Sequence, residues 1–377
     1  MVAHSFASSF LRRNFAQFVR SRPAQVSSLI LGLVLFSSCD QAKEKSASSA
    51  EATTNAIVLH FTHDWFPEPE HGGYFAAKIY GVWSGLGLNV EVIPGGPNSE
   101  IEKKVALDPI GIGLIRGDAA IIAAERGLPI IAVSSYFQHD PQGIMVRDDG
   151  PVHGFADLED RDVAMQVGNT WFLYLQKKFG LKKTRVRPVT GSVANFVKDP
   201  NWITQAYPTS EPYYALKEGV KPRVLQISDS GFDPYRVVIA NKTLVQQHPE
   251  WVAKFCLGAY KGWQEYYRNP APVHEHIQKI SPTMELEGMK FSYIKMRELH
   301  LIEGDVTKGE FMGAIDSRRW EATGQILVDL GLVKNLPRWS DVYSTNFAPS
   351  QVGATTELPA AFWKASDVQW PKGVSGL

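Results

Sequence analysis

The sequence predicts an α/β protein arranged as two blocks, and three observations carry that reading. Short β-branched or apolar runs recur between helical patterns of about ten residues, the spacing of βαβ units and a mostly parallel sheet. The alternation breaks off near residues 142–150 and then starts again. From about 240 to 333 the pattern is mostly helical.

Each element follows from local signals. Ile57-Val58-Leu59-His60-Phe61 is a strand, and a loop with Pro67 and Pro69 follows. Tyr74 to Trp83 reads as a helix, ended by Gly85 and Gly87. Asn89 to Ile93 alternates as a strand and stops at Pro94-Gly95-Gly96-Pro97. Ile101 to Leu107 is a short helix and Ile110 to Ile115 a strand. Asp118 is placed to cap a helix over Ala119 to Arg126, which Gly127 stops. Pro129 to Val133 is the next strand. In the second block, strands are expected at Asp162–Val167, Arg185–Val189, Trp202–Tyr207 and Arg223–Ile227. Helices lie between them at Thr170–Phe179, Ser192–Lys198 and Glu211–Glu218. Tyr235 to Ala240, rich in Val and Ile, follows. His248 to Tyr267 is the clearest later helix. From about 336 the chain is rich in Pro, Ser and aromatic residues and reads as an extended strap, not a third domain. No internal repeat of 20–50 residues is visible.

The N-terminus carries an address. Arg12, Arg13, Arg20 and Arg22 precede the apolar run Leu29 to Phe36, which closes on Ser37-Ser38-Cys39. A basic segment, a short apolar core and small residues at a cleavage point make a secretory signal. The run is roughly half the ~20 residues that a bilayer crossing needs. A small residue before Cys39 resembles the bacterial lipoprotein signal, with Phe36 where that pattern has an aliphatic residue. Residues 1–38 then read as signal peptide, Cys39 as the lipid-bearing mature N-terminus, and 39–55 as a flexible tether. The competing reading is an ordinary cleaved signal with an incidental cysteine. The one other cysteine, Cys256, sits in an apolar-periodic helix and reads as a buried structural thiol.

Charge excludes one class of partner. Four of the 39 basic residues fall in the signal, so the remainder carries 35 basic against 39 acidic residues, net −4. No basic patch of the kind nucleic acid requires is visible. About 320 residues remain after the tether, enough for two domains.

The motif scan finds no nucleophile elbow, zincin helix, phosphate loop or dinucleotide fingerprint. No catalytic residue or cofactor is expected. Gly111-Ile112-Gly113 lets a ligand or a helix approach the strand. His60, His63, Asp64, Glu68, Glu70 and His71 crowd one loop, but strand alternation splits the first histidines between faces, so a polar loop is preferred to a metal site. His274 and His276 read as solvated. Ligands of open α/β sheets sit at the carboxyl ends of strands. The residues there include Trp65, Phe66, Arg116, Phe137, Gly168, Asn169, Thr170, Tyr207, Glu211 and Phe232. Aromatic rings with a few polar groups suit a flat, partly apolar ring held by stacking and hydrogen bonds. For any one of these rings the competing reading is core packing.

Several runs then match a known family. Asp64-Trp65-Phe66-Pro67-Glu68-Pro69-Glu70-His71-Gly72-Gly73-Tyr74-Phe75-Ala76-Ala77 resembles the first loop and helix of ABC-transporter solute-binding proteins for thiamine pyrimidine precursors. Gly127 to Val133, Phe137 to Val146, Ser210-Glu211-Pro212-Tyr213 and Asp229 to Tyr235 continue the resemblance in order. It spans about 57 to 300. It implies a two-lobed periplasmic binding protein fold, with a ligand cleft between the lobes and hinge closure. Crossings fall near Gln142–Arg147 and Phe232–Ala240. Lobe one is then 56–142 plus 240–345, lobe two 143–239, and 346–377 a C-terminal strap. The same family holds pyrimidine synthases that use iron and a cysteine-rich motif, and His71 matches the place of their histidine. That motif is absent, so His71 is expected to hydrogen-bond at the cleft mouth. The resemblance implies stacking by Trp65 and Tyr74, hydrogen bonds to Glu211, and contacts from Gly168, Asn169 and Thr170. Arg116 would serve an anionic group or pair with Asp118. The expected partners are a small heterocycle and a membrane permease, and the protein is expected to be a monomer. Pyrimidine, riboflavin and sulfonate ligands stay open, as do a synthase and a sensor of the same fold.

Overall fold

The protein is described by a computed structural model that covers residues 58–189, 191–372 and 374. The signal, Cys39 and the tether lie outside the described residues. The strands are β1 (Val58–Thr62), β2 (Asn89–Ile93), β3 (Gly111–Arg116), β4 (Ile130–Phe137), β5 (Gly143–Arg147), β6 (Asp162–Ala164), β7 (Arg185–Arg187), β8 (Ile203–Ala206), β9 (Pro222–Gln226) and β10 (Arg236–Asn241). The helices are α1 (Gly72–Ile79), α2 (Val82–Gly85), α3 (Ile101–Leu107), α4 (Gly117–Glu125), α5 (Thr170–Phe179), α6 (Ala194–Lys198), α7 (Glu211–Lys217), α8 (Lys242–Gln247), α9 (Pro249–Arg268), α10 (Ala271–Ile280), α11 (Leu286–Glu298), α12 (Ser317–Asp329) and α13 (Pro349–Val352).

The strands form two five-stranded sheets, in the orders β2-β1-β3-β10-β4 and β7-β6-β8-β5-β9. In each sheet the one strand that runs against its neighbours is the strand entered after a crossing, β10 in the first and β5 in the second. The first crossing occupies residues 138–142 and the second lies between β9 and β10. Two expectations change. Residues 143–147 are already a strand of the second sheet, not part of the crossing. The strand read at Tyr235–Ala240 is β10, and it pairs with β3 and β4 in the first sheet, so the return precedes residue 240.

Burial explains the strand compositions. Along β10, Val238 and Ala240 join one core while Val237 and Ile239 join the core on the opposite face. Alternate side chains point to opposite faces, so a strand covered on both sides must be apolar throughout. In β5, Ile144 and Val146 face Trp171, Leu175 and Phe232, while Met145 faces Phe196 and Ala215. The expected helix over 74–83 is two helices, because Gly81 takes φ 67° between them. Asp118 is not the cap of α4. Arg116 occupies that place, and Asp118 lies one residue inside the first turn.

Helices α1 and α9 pack closely because glycine faces glycine. A methyl on Gly262 would overlap the Gly73 carbonyl oxygen and come within 2.9 Å of the Ala77 nitrogen. Gly113, one of the strand glycines, is where α3 approaches, through Ile101 and Val105. Cys256 is buried on α9. His274 corrects the surface expectation: it is fully buried, and a 2.8 Å hydrogen bond joins it to the Tyr266 hydroxyl. Burial pushes its pKa down to about 3. The C-terminal segment runs along the edge of β4, where Ala132 N–H donates to Val342 O and Ser344 N–H to Ala132 O, both at 2.8 Å. That pairing covers an otherwise open sheet edge. No described helix is long and apolar enough to cross a membrane.

Replacing Gly262 by Ala is expected to cost about 1–3 kcal/mol, since the backbones of α1 and α9 must separate. Gly154→Ala, where an added methyl meets open space, is expected to stay within ~0.5 kcal/mol of the parent. Urea unfolding of both variants checks the contrast.

Candidate functional site

The carboxyl ends of β1 and β3, the amino end of β10 and the loop after β8 converge at the seam between the sheets. Asp64, two residues beyond β1, is the hub. Its carboxylate takes hydrogen bonds from His71 Nε2 at 3.0 Å, Tyr136 OH at 3.2 Å and Arg236 Nη1 at 2.8 Å. Burial alone would raise its pKa, but the His71 hydrogen bond and the Arg236 charge hold it well below the usual carboxylate range. The anion in turn fixes the His71 proton on Nε2.

Arg236 opens β10 and is 7% exposed. Besides Asp64, it donates to Asp140 Oδ1 at 3.2 Å and to the Tyr207 hydroxyl. Asp140 lies in the first crossing and Tyr207 follows β8, so one guanidinium ties together the first sheet, the crossing and the second sheet. A second tie lies alongside, where Thr209 donates its hydroxyl to Glu70 and its carbonyl accepts from Ser292 Oγ at 2.6 Å. Farther out, Lys217 of α7 reaches Glu285 at 2.6 and 2.7 Å, and Tyr213 packs near Phe291 and Trp370.

Unpaired acids gather beside these ties. Glu211, the first residue of α7, accepts the Tyr207 N–H at 2.8 Å, and burial raises its pKa to about 7. Burial, then the charges of Glu70, Asp64 and Glu211, push Glu68 well above its ordinary value. Burial also raises Glu70, whose Oε2 has no partner. His63 is fully buried and stacked on His71 at 4.3 Å, and neither of its ring nitrogens has a partner. Burial first, then the nearby His71, keep it neutral.

The expected site residues divide. Trp65 is half-buried with its ring against Phe66, which is 51% exposed at the rim of the seam. His71, Tyr207 and Glu211 belong to the network just described. Arg116 pairs with Asp118 at 3.0 and 3.1 Å, the second of the two roles open to it. Gly168 and Asn169 open α5 at the second sheet, and their neighbourhood is local: Asn169 Nδ2 donates to Gln166 O at 2.9 Å, and Thr170 is buried. Three rings are core residues here. Tyr74 is enclosed by Phe61, Tyr136 and Trp263, Phe137 by Tyr136 and Trp263, and Phe232 lies in the second sheet's core beside Tyr174. His60 turns away to Asp108 at 2.7 Å, and among the described residues no group of three or more His, Cys, Asp or Glu is placed to hold a metal.

Two features escaped the sequence. The Arg236 network joins residues up to 172 positions apart, a distance no local pattern carries. At the crossings, His139 Nδ1 faces Asp233 Oδ2 at 2.7 Å and its Nε2 faces Glu310 Oε2 at 3.0 Å, while Arg319 binds Asp233 and Glu310 from the other side. Glu310 and Arg319 also line a cavity of about 1200 Å³, together with Gln138 and Tyr235. Asp64, Trp65, Glu70, Tyr207 and Glu211 of the seam are not among its lining residues.

Comparison with known proteins follows the same architecture. The family described as NMT1/THI5 like matches residues 68–272. The riboflavin-binding protein RibY of Chloroflexus aurantiacus is 19% identical over 80% of this chain and 89% of its own. The formylaminopyrimidine-binding protein of Halalkalibacterium halodurans is 24% identical over 65% and 76%. Among solved structures, the periplasmic aliphatic sulphonate-binding protein SsuA of Escherichia coli aligns with a TM-score of 0.57 at 13% identity, over 84% of this chain and 97% of that one. The desulfurization enzyme DSZB aligns at 0.53 and 13%, over 78% and 99%. The two-sheet architecture is thus the periplasmic binding protein fold.

With both ring nitrogens facing carboxylates, His139 must donate twice and is favoured as the imidazolium. Burial opposes this, but the Asp233 hydrogen bond and the Asp233 and Glu310 charges prevail and raise its pKa. The contribution is therefore complete below the unfolded value of about 6.5 and is lost as pH rises through the folded one. Melting temperature is expected to fall from pH 5.5 to 8.5 more steeply in the parent than in His139→Gln. Parallel melting curves would contradict the assignment.

Proposed function

The chain belongs to the NMT1/THI5-like family, and from that premise we propose that it is an exported substrate-binding protein that captures a small ring-containing ligand for an ABC importer. The ligand is a thiamine pyrimidine precursor or a similar heterocycle, held in the seam between the two lobes. The observation that carries the reading is the meeting of the loop after β1 with the opening of α7. Glu70 and Thr209 touch there, Trp65 belongs to the loop after β1, and Glu211 opens α7. An amino-heterocycle offers N–H donors to carboxylates and a flat face to an indole, which are the two things this border supplies. The names of the riboflavin- and formylaminopyrimidine-binding relatives support a ring ligand.

In this reading lobe one holds residues 56–142 and resumes at β10, lobe two lies between, and the C-terminal segment straps lobe one. The protein works as a monomer at the extracytoplasmic face, tethered through a lipid on Cys39 near its permease. Tethering keeps a receptor at high effective concentration beside its target. Catalysis is not part of the proposal. DSZB shares the fold at 13% identity, which speaks to architecture alone. Cys256 lies inside the core, and burial pushes its thiol pKa far up, away from a nucleophile's range.

Trp65→Ala and Glu211→Ala are each expected to weaken ligand binding by about 1–3 kcal/mol. Native mass spectrometry of the purified protein identifies a co-purified ligand for that titration, and parent-like affinity in both variants would place the ligand elsewhere. For a ligand that donates N–H to Glu211, affinity rises with pH through about 7, where that carboxyl ionises. Glu211→Gln should remove this rise. Mass spectrometry of the mature N-terminus reads the anchor directly: acyl chains on Cys39 support it, and a free thiol removes it.

A further inference from the structure

We propose that Asp64, Asp140 and Asp118 are specificity determinants that exclude anions from the cleft, so that its ligand is a neutral or cationic molecule rich in hydrogen-bond donors. The inference rests on reading the seam as the ligand cleft and goes on to the charge class of what enters it.

Arg116 and Arg236 are direct cross-strand partners at the seam end of β3 and β10. Two guanidinium groups side by side, one at the carboxyl end of β3 and one at the amino end of its antiparallel neighbour β10, are what a sulfonate, phosphate or carboxylate site would use. Here Arg236 is committed through all three of its nitrogens and Arg116 through two of three. Asp118, fully buried, takes Arg116 Nε and Nη2 at 3.0 and 3.1 Å. Asp64 takes Arg236 Nη1 at 2.8 Å, Asp140 takes its Nε at 3.2 Å, and Tyr207 occupies Nη2. Three carboxylates thus cover two cations, and Glu68, Glu70 and Glu211 add acid around them. An anion could reach Arg236 only by displacing a carboxylate or Tyr207, and at Arg116 it would meet the charge of the fully buried Asp118. A donor-rich ligand meets no such cost, since its N–H groups need only carboxyl oxygens such as the unpartnered Glu70 Oε2.

The fold itself does not impose this choice, because the sulphonate-binding protein of Escherichia coli shares it. The aspartates do. Neutralising them without changing their shape should therefore reverse the preference.

The test is calorimetric titration with 1-pentanesulfonate. The parent is expected to show no binding at millimolar concentration. Asp64→Asn with Asp140→Asn keeps one acceptor oxygen in each side chain, removes both charges from Arg236, and should bind the sulfonate at least tenfold more tightly. Adding Arg236→Gln should abolish the gain. Should the double variant lose its melting transition, Asp118→Asn frees Arg116 and carries the same test. Sulfonate binding by the parent that Arg236→Gln abolishes would overturn the proposal, and so would a folded Asn variant with no gain. The cleft reading fails separately, on ring-ligand binding that is indifferent to Trp65 and Glu211.

Discussion

A guanidinium without water is tolerated only where carboxylates surround it, and Arg236 imposes that condition on the centre of the molecule. It begins the strand that returns the chain to the first sheet, so it sits where both crossings, both sheets and the loop after β1 come within reach of one side chain. Asp140 answers from the first crossing, Asp64 from the loop, and Tyr207 from the second sheet. The position of the β1 loop, and with it Trp65 and His71, therefore depends on a charge supplied from 172 residues away. The crossings carry their own fastening, where His139, Asp233, Glu310 and Arg319 interlock. Both connections between the sheets are thus held by ion pairs, the first through His139 and Asp140 and the second through Asp233.

Much of the architecture was legible because alternation and punctuation are local. The strand at Asn89–Ile93 and the helices at Ile101–Leu107 and Thr170–Phe179 have the bounds their residues imply. What was missed is non-local. Gly143 to Arg147 reads as a junction because a five-residue apolar run between polar loops has no partner visible in sequence. It becomes a strand only when β8 and β9 flank it. β10 was legible as a strand, but its sheet was not, since membership is decided by pairing and not by composition. His274 misled because Pro270, Pro272, Glu275 and His276 surround it in sequence, while its neighbours in space are Tyr266 and Trp363.

The site was legible in part and for a definable reason. Loop residues beside strand ends, such as Trp65, His71, Tyr207 and Glu211, reached the seam because the strands above them aim their carboxyl ends there. Tyr74, Phe137 and Phe232 share the same aromatic chemistry but lie inward of the rim, where helix or strand periodicity turns their rings to the core. Aromatic identity does not separate a stacking ring from a packing ring; the direction of the side chain does. The acid–arginine pairings were half visible. Arg116 and Asp118 are two residues apart and could be paired on paper, whereas Arg236 had no local partner to suggest its role.

The docking of α7 has a consequence for turnover. Tyr213 belongs by sequence to the second sheet's helices, yet it is 2% exposed and sits in the core cluster of the first. Drawing the sheets apart would wet that ring and break the Lys217–Glu285 pair as well as the seam contacts. A buried ring of this size is worth about 2–3 kcal/mol. The packing of α7 against the first sheet therefore favours the closed seam. On the proposed function, opening the seam takes work that ligand binding does not supply, and a membrane partner would have to provide it.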